Sequence, residues 1–250
     1  MLSVIVPAYM EGRKIATNLR KLTDALDAIE VPYEVIVVSD GSKDDTYRQA
    51  LSVAGPNVKV FGYTTNMGKG FALRYGFARS TGNPVTFIDA DMELHPKEIG
   101  IFVKLMEIYE CDVVVGSKRH PQSEVQYPAF RRFQSWAYQV LIRILFDLKL
   151  SDTQTGLKLF RREVLEAVLP YMLVRRWAYD LEFFVIAREK GFRKFIEAPV
   201  VVDFQFASTT GVAAVVQVLR DTFNIWWRLK VRHTYERQQM VPLAEVSEAD

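Results

Sequence analysis

Residues 34–46 read EVIVVSDGSKDDT. The run Glu34–Ser39 is apolar almost throughout, as a strand buried on both faces must be. It ends at Asp40, turns through Gly41 and Ser42, and leads into a helix. The same grammar recurs on either side. Leu2–Pro7 is a short β-branched run, and residues 12–29 carry Ile15, Leu19, Leu22, Leu26 and Ile29 at helical spacing. Asn57–Tyr63 predicts a third strand, followed by the Gly-rich turn Asn66–Gly70 and a helix over 71–80. Pro84–Ile88 predicts a fourth strand that ends in Asp89-Ala90-Asp91, with a helix over 96–109 and a strand over 112–116 behind it. Strands alternating with helices predict an α/β fold, a mostly parallel sheet covered on both faces.

The second half changes character. Residues 129–149 form a long helix with Phe133, Trp136, Val140, Ile144 and Leu148 along one stripe. After the polar turn Ser151–Thr155, helices are expected at 161–169 and 179–189, then a strand over 198–204. A helix over 211–232 carries Phe223, Trp226 and Trp227 beside Arg228, Lys230 and Arg232.

Composition narrows the class. The chain has 250 residues, 49% hydrophobic and 25% charged, which excludes a disordered or collagen-like chain. One cysteine excludes an intramolecular disulfide and a cysteine metal site, and Cys111 reads as a buried inert thiol. The net charge of +2 hides local bias, because residues 220–237 hold five basic residues against Asp221 and Glu236. Six more lie within 118–149, against Glu124 and Asp147. No stretch reaches the ~18 uncharged apolar residues of a spanning helix. The opening MLSVIVPAYMEG lacks the basic leader of a secretory signal, so a cytoplasmic protein is expected.

Asp89 and Asp91 leave a strand at its carboxyl end, where open α/β sheets bind ligands. Their oxygens are hard ligands suited to Mg²⁺ or Mn²⁺, which are often held by one or two carboxylates plus substrate phosphates. Asp40 ends the neighbouring strand, where it either accepts hydrogen bonds from a nucleoside or caps its own turn. Asn66, Gly68, Lys69 and Gly70 open a helix in a form that suits close approach to an anion. Pro7, Tyr9 and Glu11 face the same crevice.

Together these stretches resemble the family 2 glycosyltransferases of the GT-A nucleotide-diphosphosugar type. The resemblance runs through VIVPAYME (4–11), EVIVVSDGSKDDT, NMGKGFALRYG (66–76) and FIDADME (87–93). It continues through VVGSKR (114–119), DTQTGLKLFR (152–161) and RWAYDLEF (176–183). The later motifs look like the polyprenyl-phosphate branch, the dolichyl-phosphate glucose and mannose synthases, with the glucosyl enzymes nearer. The resemblance implies that Pro7, Tyr9, Glu11 and Asp40 hold the nucleoside, with Asn66, Gly68 and Lys69 also on the nucleotide sugar. It implies that Asp89 contacts the nucleotide and that Asp91 and Glu93 ligate a divalent metal. Arg119, Arg131, Arg132 and Ser135 would receive the acceptor phosphate. Asp152, Gly156 and Lys158 would shape the sugar and acceptor pocket, with Lys158 and Glu182 counted among the catalytic residues beside Asp91 and Arg119. Met10 and Ser39 depart from the family pattern, which reads Asn and Asp there, and so bear on base specificity.

The implied reaction is an inverting, metal-dependent transfer of a hexose, glucose rather than mannose, from UDP-glucose or GDP-mannose to a polyprenyl or dolichyl phosphate. A soluble-acceptor glycosyltransferase and a non-catalytic nucleotide-sugar-binding module are the alternatives. The DxD constellation argues against nucleic acid as the partner of the basic aromatic segments. The expected organisation is a catalytic domain over 1–210, an amphipathic membrane-interfacial helix over 211–237 and a flexible tail over 238–250. Trp and Phe beside Lys and Arg suit a helix lying in a membrane surface, which makes the protein peripheral on the cytoplasmic face.

Overall fold

The computed structural model describes residues 1–123, 129–174, 178–202 and 212–237. Among the described residues seven strands form one sheet: β1 (Leu2–Ala8), β2 (Tyr33–Asp40), β3 (Val58–Tyr63), β4 (Val85–Phe87), β5 (Val113–Ser117), β6 (Lys158–Phe160) and β7 (Phe195–Pro199). Their order is β3-β2-β1-β4-β6-β5-β7. All pairings are parallel except those of β6, which lies antiparallel between β4 and β5. The expected parallel sheet is therefore present, with one strand that periodicity did not show.

Helices α1 (Ile15–Asp27), α2 (Thr46–Leu51), α3 (Lys69–Phe77) and α4 (Glu98–Tyr109) connect the first strands. Helices α5 (Ala129–Phe146), α6 (Arg162–Val168), α7 (Tyr179–Glu189), α8 (Val212–Lys230) and α9 (Thr234–Arg237) belong to the second half. Side chains alternate across each strand, and the sheet separates two cores. Val35 and Val37 of β2 join Val4 and Val6 of β1 under Leu19 and Leu22 of α1 and Phe102 of α4. Ile36, Val38 and Ile5 point the other way, into α3, α6, α7 and the buried residues of α5 and α8. Cys111 is buried and free, as expected.

Two expectations are corrected. The last strand is Phe195–Pro199 rather than 198–204, because β7 takes its register from β5, with Val113 opposite Phe195. The single stripe expected on residues 129–149 is split: Ile142, Phe146 and Leu148 are buried, whereas Trp136, Val140 and Ile144 are exposed. The tail beyond 237 lies outside the described residues.

Candidate active site

Because β1, β2 and β4 are parallel, their carboxyl ends open on one edge of the sheet. A right-handed crossover must return across the far face, so the connections at this edge are free to carry function. Here they bring together Tyr9–Glu11, Gly41–Thr46, Asn66–Lys69 and Asp89–Glu93.

Asp40 has a different task from the one expected. Its buried carboxylate accepts hydrogen bonds from Tyr63 Oη at 2.8 Å, Met67 N at 2.8 Å, Gly68 N at 3.0 Å and Asn66 Nδ2 at 3.1 Å. It is saturated by protein donors and anchors the Asn66–Gly68 turn, leaving no acceptor for a nucleoside. Asn66 is likewise turned back on Asp40. Two glycines make this clamp feasible. Gly41 has φ +61°, and a Cβ there would lie 2.3 Å from Asn66 N. Gly68 has φ +92°. Pro7 lies buried in β1 beside Val38, whereas Tyr9 is exposed at the rim.

Asp44, which sequence reasoning passed over, organises the neighbouring loop. It accepts from Gly12 N at 3.0 Å and Thr46 N at 3.1 Å, and Thr46 Oγ1 accepts from Glu11 N at 2.8 Å. The Glu11 backbone is thereby fixed. Burial and then the Asp91 charge push the Glu11 carboxyl up, against a smaller pull from Lys14. Asp91 is raised by burial and then by Asp89, while the Glu93 backbone N–H, 3.1 Å away, pulls it down. The edge is thus an acidic cluster in mutual repulsion.

Lysines partly offset it. Lys69 Nζ lies 2.6 Å from Asp89 Oδ1, and Lys118 Nζ lies 2.8 Å from Glu93 Oε1. Burial opposes the Lys69 charge, but Asp89 and Asp180 outweigh it and hold the ammonium above its ordinary range. Gly156 is pressed against this group: a Cβ there would lie 2.3 Å from Asp89 Oδ2.

Arg119 follows β5 on the opposite rim. Burial pulls its guanidinium down, and the charges of Asp152 and Glu197 push back. Glu197 accepts from Ser151 N at 2.8 Å, Ser151 Oγ at 2.7 Å and Asp152 N at 3.0 Å. Asp152 Oδ2 in turn accepts from Lys118 N at 3.2 Å. Glu197 therefore holds the loop that carries Asp152. An acid inside an otherwise apolar strand was the available signal. The side chains of Arg131, Arg132 and Ser135 lie outside the described residues.

Two expected catalytic groups are buried and committed to the fold. Lys158 is buried on β6, donating to the Thr155 carbonyl and pairing with Asp180 Oδ1 at 2.8 Å. Glu182 is wholly buried. It accepts from Leu173 N at 2.8 Å, Val174 N at 2.7 Å and Tyr235 Oη at 2.7 Å, with Arg228 Nη1 at 3.4 Å. It joins α7 to α8 and α9 through these contacts, so we assign it to the architecture.

The acidic edge suits a divalent cation. Its donors are hard carboxylate oxygens, and the mutual repulsion at Asp91 is what a cation relieves. Among the described residues no three His, Cys, Asp or Glu side chains form a complete metal cage. One or two carboxylates that leave positions for phosphate oxygens suit Mg²⁺ or Mn²⁺.

A mostly parallel sheet with acids at its carboxyl edge and a basic rim opposite defines a GT-A-type nucleotide-sugar fold. The chain belongs to glycosyl transferase family 2, whose model matches residues 3–169. It is 31% identical over 244 residues to glycosyltransferase AglD of Haloferax volcanii, covering 94% of this chain and 38% of that protein. It is 32% identical over 238 residues to a dolichyl-phosphate beta-glucosyltransferase of Trichomonas vaginalis, covering 90% of this chain and 72% of the relative. The chain thus spans well under half of the first relative and about three-quarters of the second. The fold is similar to glucosyl-3-phosphoglycerate synthase of Mycobacterium tuberculosis, solved with Mn²⁺, UDP and glucosyl-3-phosphoglycerate. That match has a TM-score of 0.69 at 19% identity, over 91% of this chain and 78% of the other.

Proposed function

We propose that the protein transfers glucose, rather than mannose, from a nucleoside diphosphate sugar to a dolichyl or polyprenyl phosphate, with inversion at the anomeric carbon. The observation that carries this reading is the pairing of two opposed groups at one sheet edge. Asp89 and Asp91 with Lys69 stand at the end of β4, and Arg119 stands at the end of β5. The first group suits a metal-bound diphosphate and the second an acceptor phosphate. The names of the glucosyltransferase relatives favour glucose, hence UDP-glucose over GDP-mannose.

In this reading Asp91 and Glu93 would hold the divalent cation. A bound cation supplies Lewis-acid stabilisation of charge on the leaving diphosphate. Lys69 fixes Asp89 and adds a positive charge beside the diphosphate. Glu11 and Tyr9 line the nucleoside side, with Asp40 acting through the loop it anchors. Arg119 orients the acceptor phosphate, and Glu197 positions Asp152 beside it. A phosphomonoester with second pKa about 6 is largely ionised at neutral pH. Its oxygen attacks the anomeric carbon from the face opposite the leaving group and, being already ionised, needs no strong base. The new carbon–oxygen bond forms as the bond to the diphosphate breaks, and the diphosphate keeps the electron pair. Preorganised charge of this kind is usually the largest catalytic contribution.

The lipid acceptor implies a membrane surface, with α8 lying at it and the protein peripheral. Among the described residues no helix is long and apolar enough to cross a membrane. The catalytic unit is assigned to 1–210.

The test mixes the protein with Mg²⁺ or Mn²⁺, a polyprenyl phosphate, and either UDP-glucose or GDP-mannose, and reads the lipid product by mass spectrometry. A hexosyl-phosphoryl lipid from UDP-glucose, absent with Asp91→Ala, is the expected result. Metal-dependent use of the donor on soluble glycans alone would replace this reading with a soluble-acceptor transferase. Donor binding without turnover would replace it with a binding module.

A further inference from the structure

At the C-terminal ends of α5 and α8 lies a cleft of about 450 Å³ whose lining includes none of the residues assigned to the proposed reaction. It sits between the last turns of α5, α7 and α8. Arg188, Arg193 and Lys230 line it. Arg188 is spent on α5: it donates to the Phe146 carbonyl at 2.8 Å and pairs with Asp147 at 2.6 Å, neutralising the negative end of that helix. Among the described residues, Arg193 and Lys230 have no ion-pair partner. Both are exposed. Glu189 is the other acid on the lining. Arg143 and Lys149 stand close enough to lower the Asp147 carboxyl after Arg188 has done so. Five cations thus surround Asp147 and Glu189, with Arg193 also bordering Glu110, Asp112 and Glu163 in the neighbouring cleft.

The apolar surroundings say what kind of anion fits. Ile144 and Leu229 also line the cleft, and Ile144 is 75% exposed. From the cleft two exposed stripes run back along the helices at four-residue spacing. One is Ile144 and Val140 on α5; the other is Trp227, Phe223, Leu219 and Val215 on α8, continued by Val231 just past its end. The helices touch midway, with Tyr138 Oη 2.9 Å from Thr222 Oγ1. A soluble phosphate has no use for these stripes. A phospholipid needs both, a cationic site at headgroup level and an apolar face beneath it.

We propose that this cleft is a second anionic site, which receives the phosphate of an anionic phospholipid headgroup through Arg193 and Lys230 while the stripes of α5 and α8 enter the acyl boundary. The inference rests on the membrane-surface part of the proposed function. It adds an anchor at the C-terminal end of α8, a helix of 19 residues, about 28 Å long.

The test compares co-sedimentation of the full chain with phosphatidylcholine vesicles and with vesicles containing phosphatidylglycerol. It uses the wild type and R193E/K230E, each checked for native circular dichroism. Transfer to a short-chain, water-soluble prenyl phosphate serves as the control for the active site. Wild type should bind anionic vesicles at least about tenfold more tightly than neutral ones, and the variant should lose that preference. Transfer to the short acceptor should stay within about twofold of wild type, since both positions lie outside the site. Equal binding of both proteins to anionic vesicles overturns the proposal. So does tight binding of inorganic phosphate without vesicles that is lost in the variant, which would make this a soluble-anion site. Self-association of wild type that the variant abolishes overturns it too, by assigning the face to a second copy. Headgroup-dependent vesicle binding with no transfer from either protein would sustain the anchor while refuting the glucosyltransferase reading.

Discussion

Replacing Gly156 by alanine tests whether the position of Asp89 matters to the chemistry. The added methyl would lie 2.3 Å from Asp89 Oδ2 and 2.9 Å from its Cγ, about 1 Å short of ordinary contact. The other carboxylate oxygen is held by Lys69 at 2.6 Å. The carboxylate must therefore swing off Lys69, or the Asp152–Gly156 loop must retreat and take Asp152 with it. Overpacking of this kind costs about 1–3 kcal/mol, a fall in Tm of about 2–4 °C per kcal/mol for a chain of this size. A misplacement near 1 Å at a reacting centre costs about 100-fold in rate. The expected variant is folded, melts several degrees lower, and carries out the proposed transfer about 100-fold more slowly from a saturating donor. Melting by differential scanning fluorimetry and turnover by lipid-product mass spectrometry read the two effects separately. A variant within about threefold of wild-type turnover would show that Asp89 need not be held where it stands, and the reasoning from its contacts would fail.

Other outcomes follow from the same geometry. Chelation by EDTA should abolish transfer and added Mg²⁺ or Mn²⁺ restore it, while Asp91→Asn should lose transfer without a fall in Tm, because it removes a charge that its neighbours repel. Glu182→Ala should cost about 3–5 kcal/mol in urea unfolding by stranding Arg228, Tyr235 and two backbone N–H groups; a loss below about 1 kcal/mol would deny the latch. Glu98 is pushed up to about 7 by burial, against a backbone hydrogen bond from Val201. Its folded value exceeds its unfolded one, so the contribution it makes at low pH is lost as pH rises from about 4.5 to 7. Glu98→Gln, which keeps the acceptor for Val201, should flatten that fall and be more stable than wild type at pH 8 by about 2–3 kcal/mol; identical pH profiles of unfolding would contradict the assignment.

Much of the fold was legible, because a strand buried on both faces must be a near-continuous apolar run and β1, β2 and β5 are such runs, whereas β3, with Lys59 exposed, follows from the strand–helix alternation around it. β6 was not: three residues of LKLF carry no periodicity, and Lys158 within them reads as a functional cation rather than a strand residue. Its partner Asp180 lies 22 residues away in sequence, and spacing cannot show that pairing. The same blindness affected Asp40 and Glu182. Sequence places each acid at the right strand end or helix, but whether a carboxylate faces a ligand or is saturated by Tyr63, Met67 and Gly68 is decided by where distant backbone N–H groups arrive. The acidic pair Asp89 and Asp91 was legible because its position after β4 follows from local order alone.

The placement of β6 bears on how the chain is made. β4 and β5 are consecutive strands, yet they do not touch; β6, from beyond residue 157, is the rib between them. A ribosome that has released only residues 1–117 has therefore delivered one sheet fragment, β3-β2-β1-β4, with the edge of β4 bare, and a β5 without any partner strand, because β6 and β7 both come later. They wait through the synthesis of about 40 further residues, at about 5–20 residues per second, before the closing strand appears. Exposed strand edges of this kind recruit other chains. The nascent protein is thus most vulnerable to aggregation in a window of a few seconds, and a fragment ending before Lys158 should remain in that state.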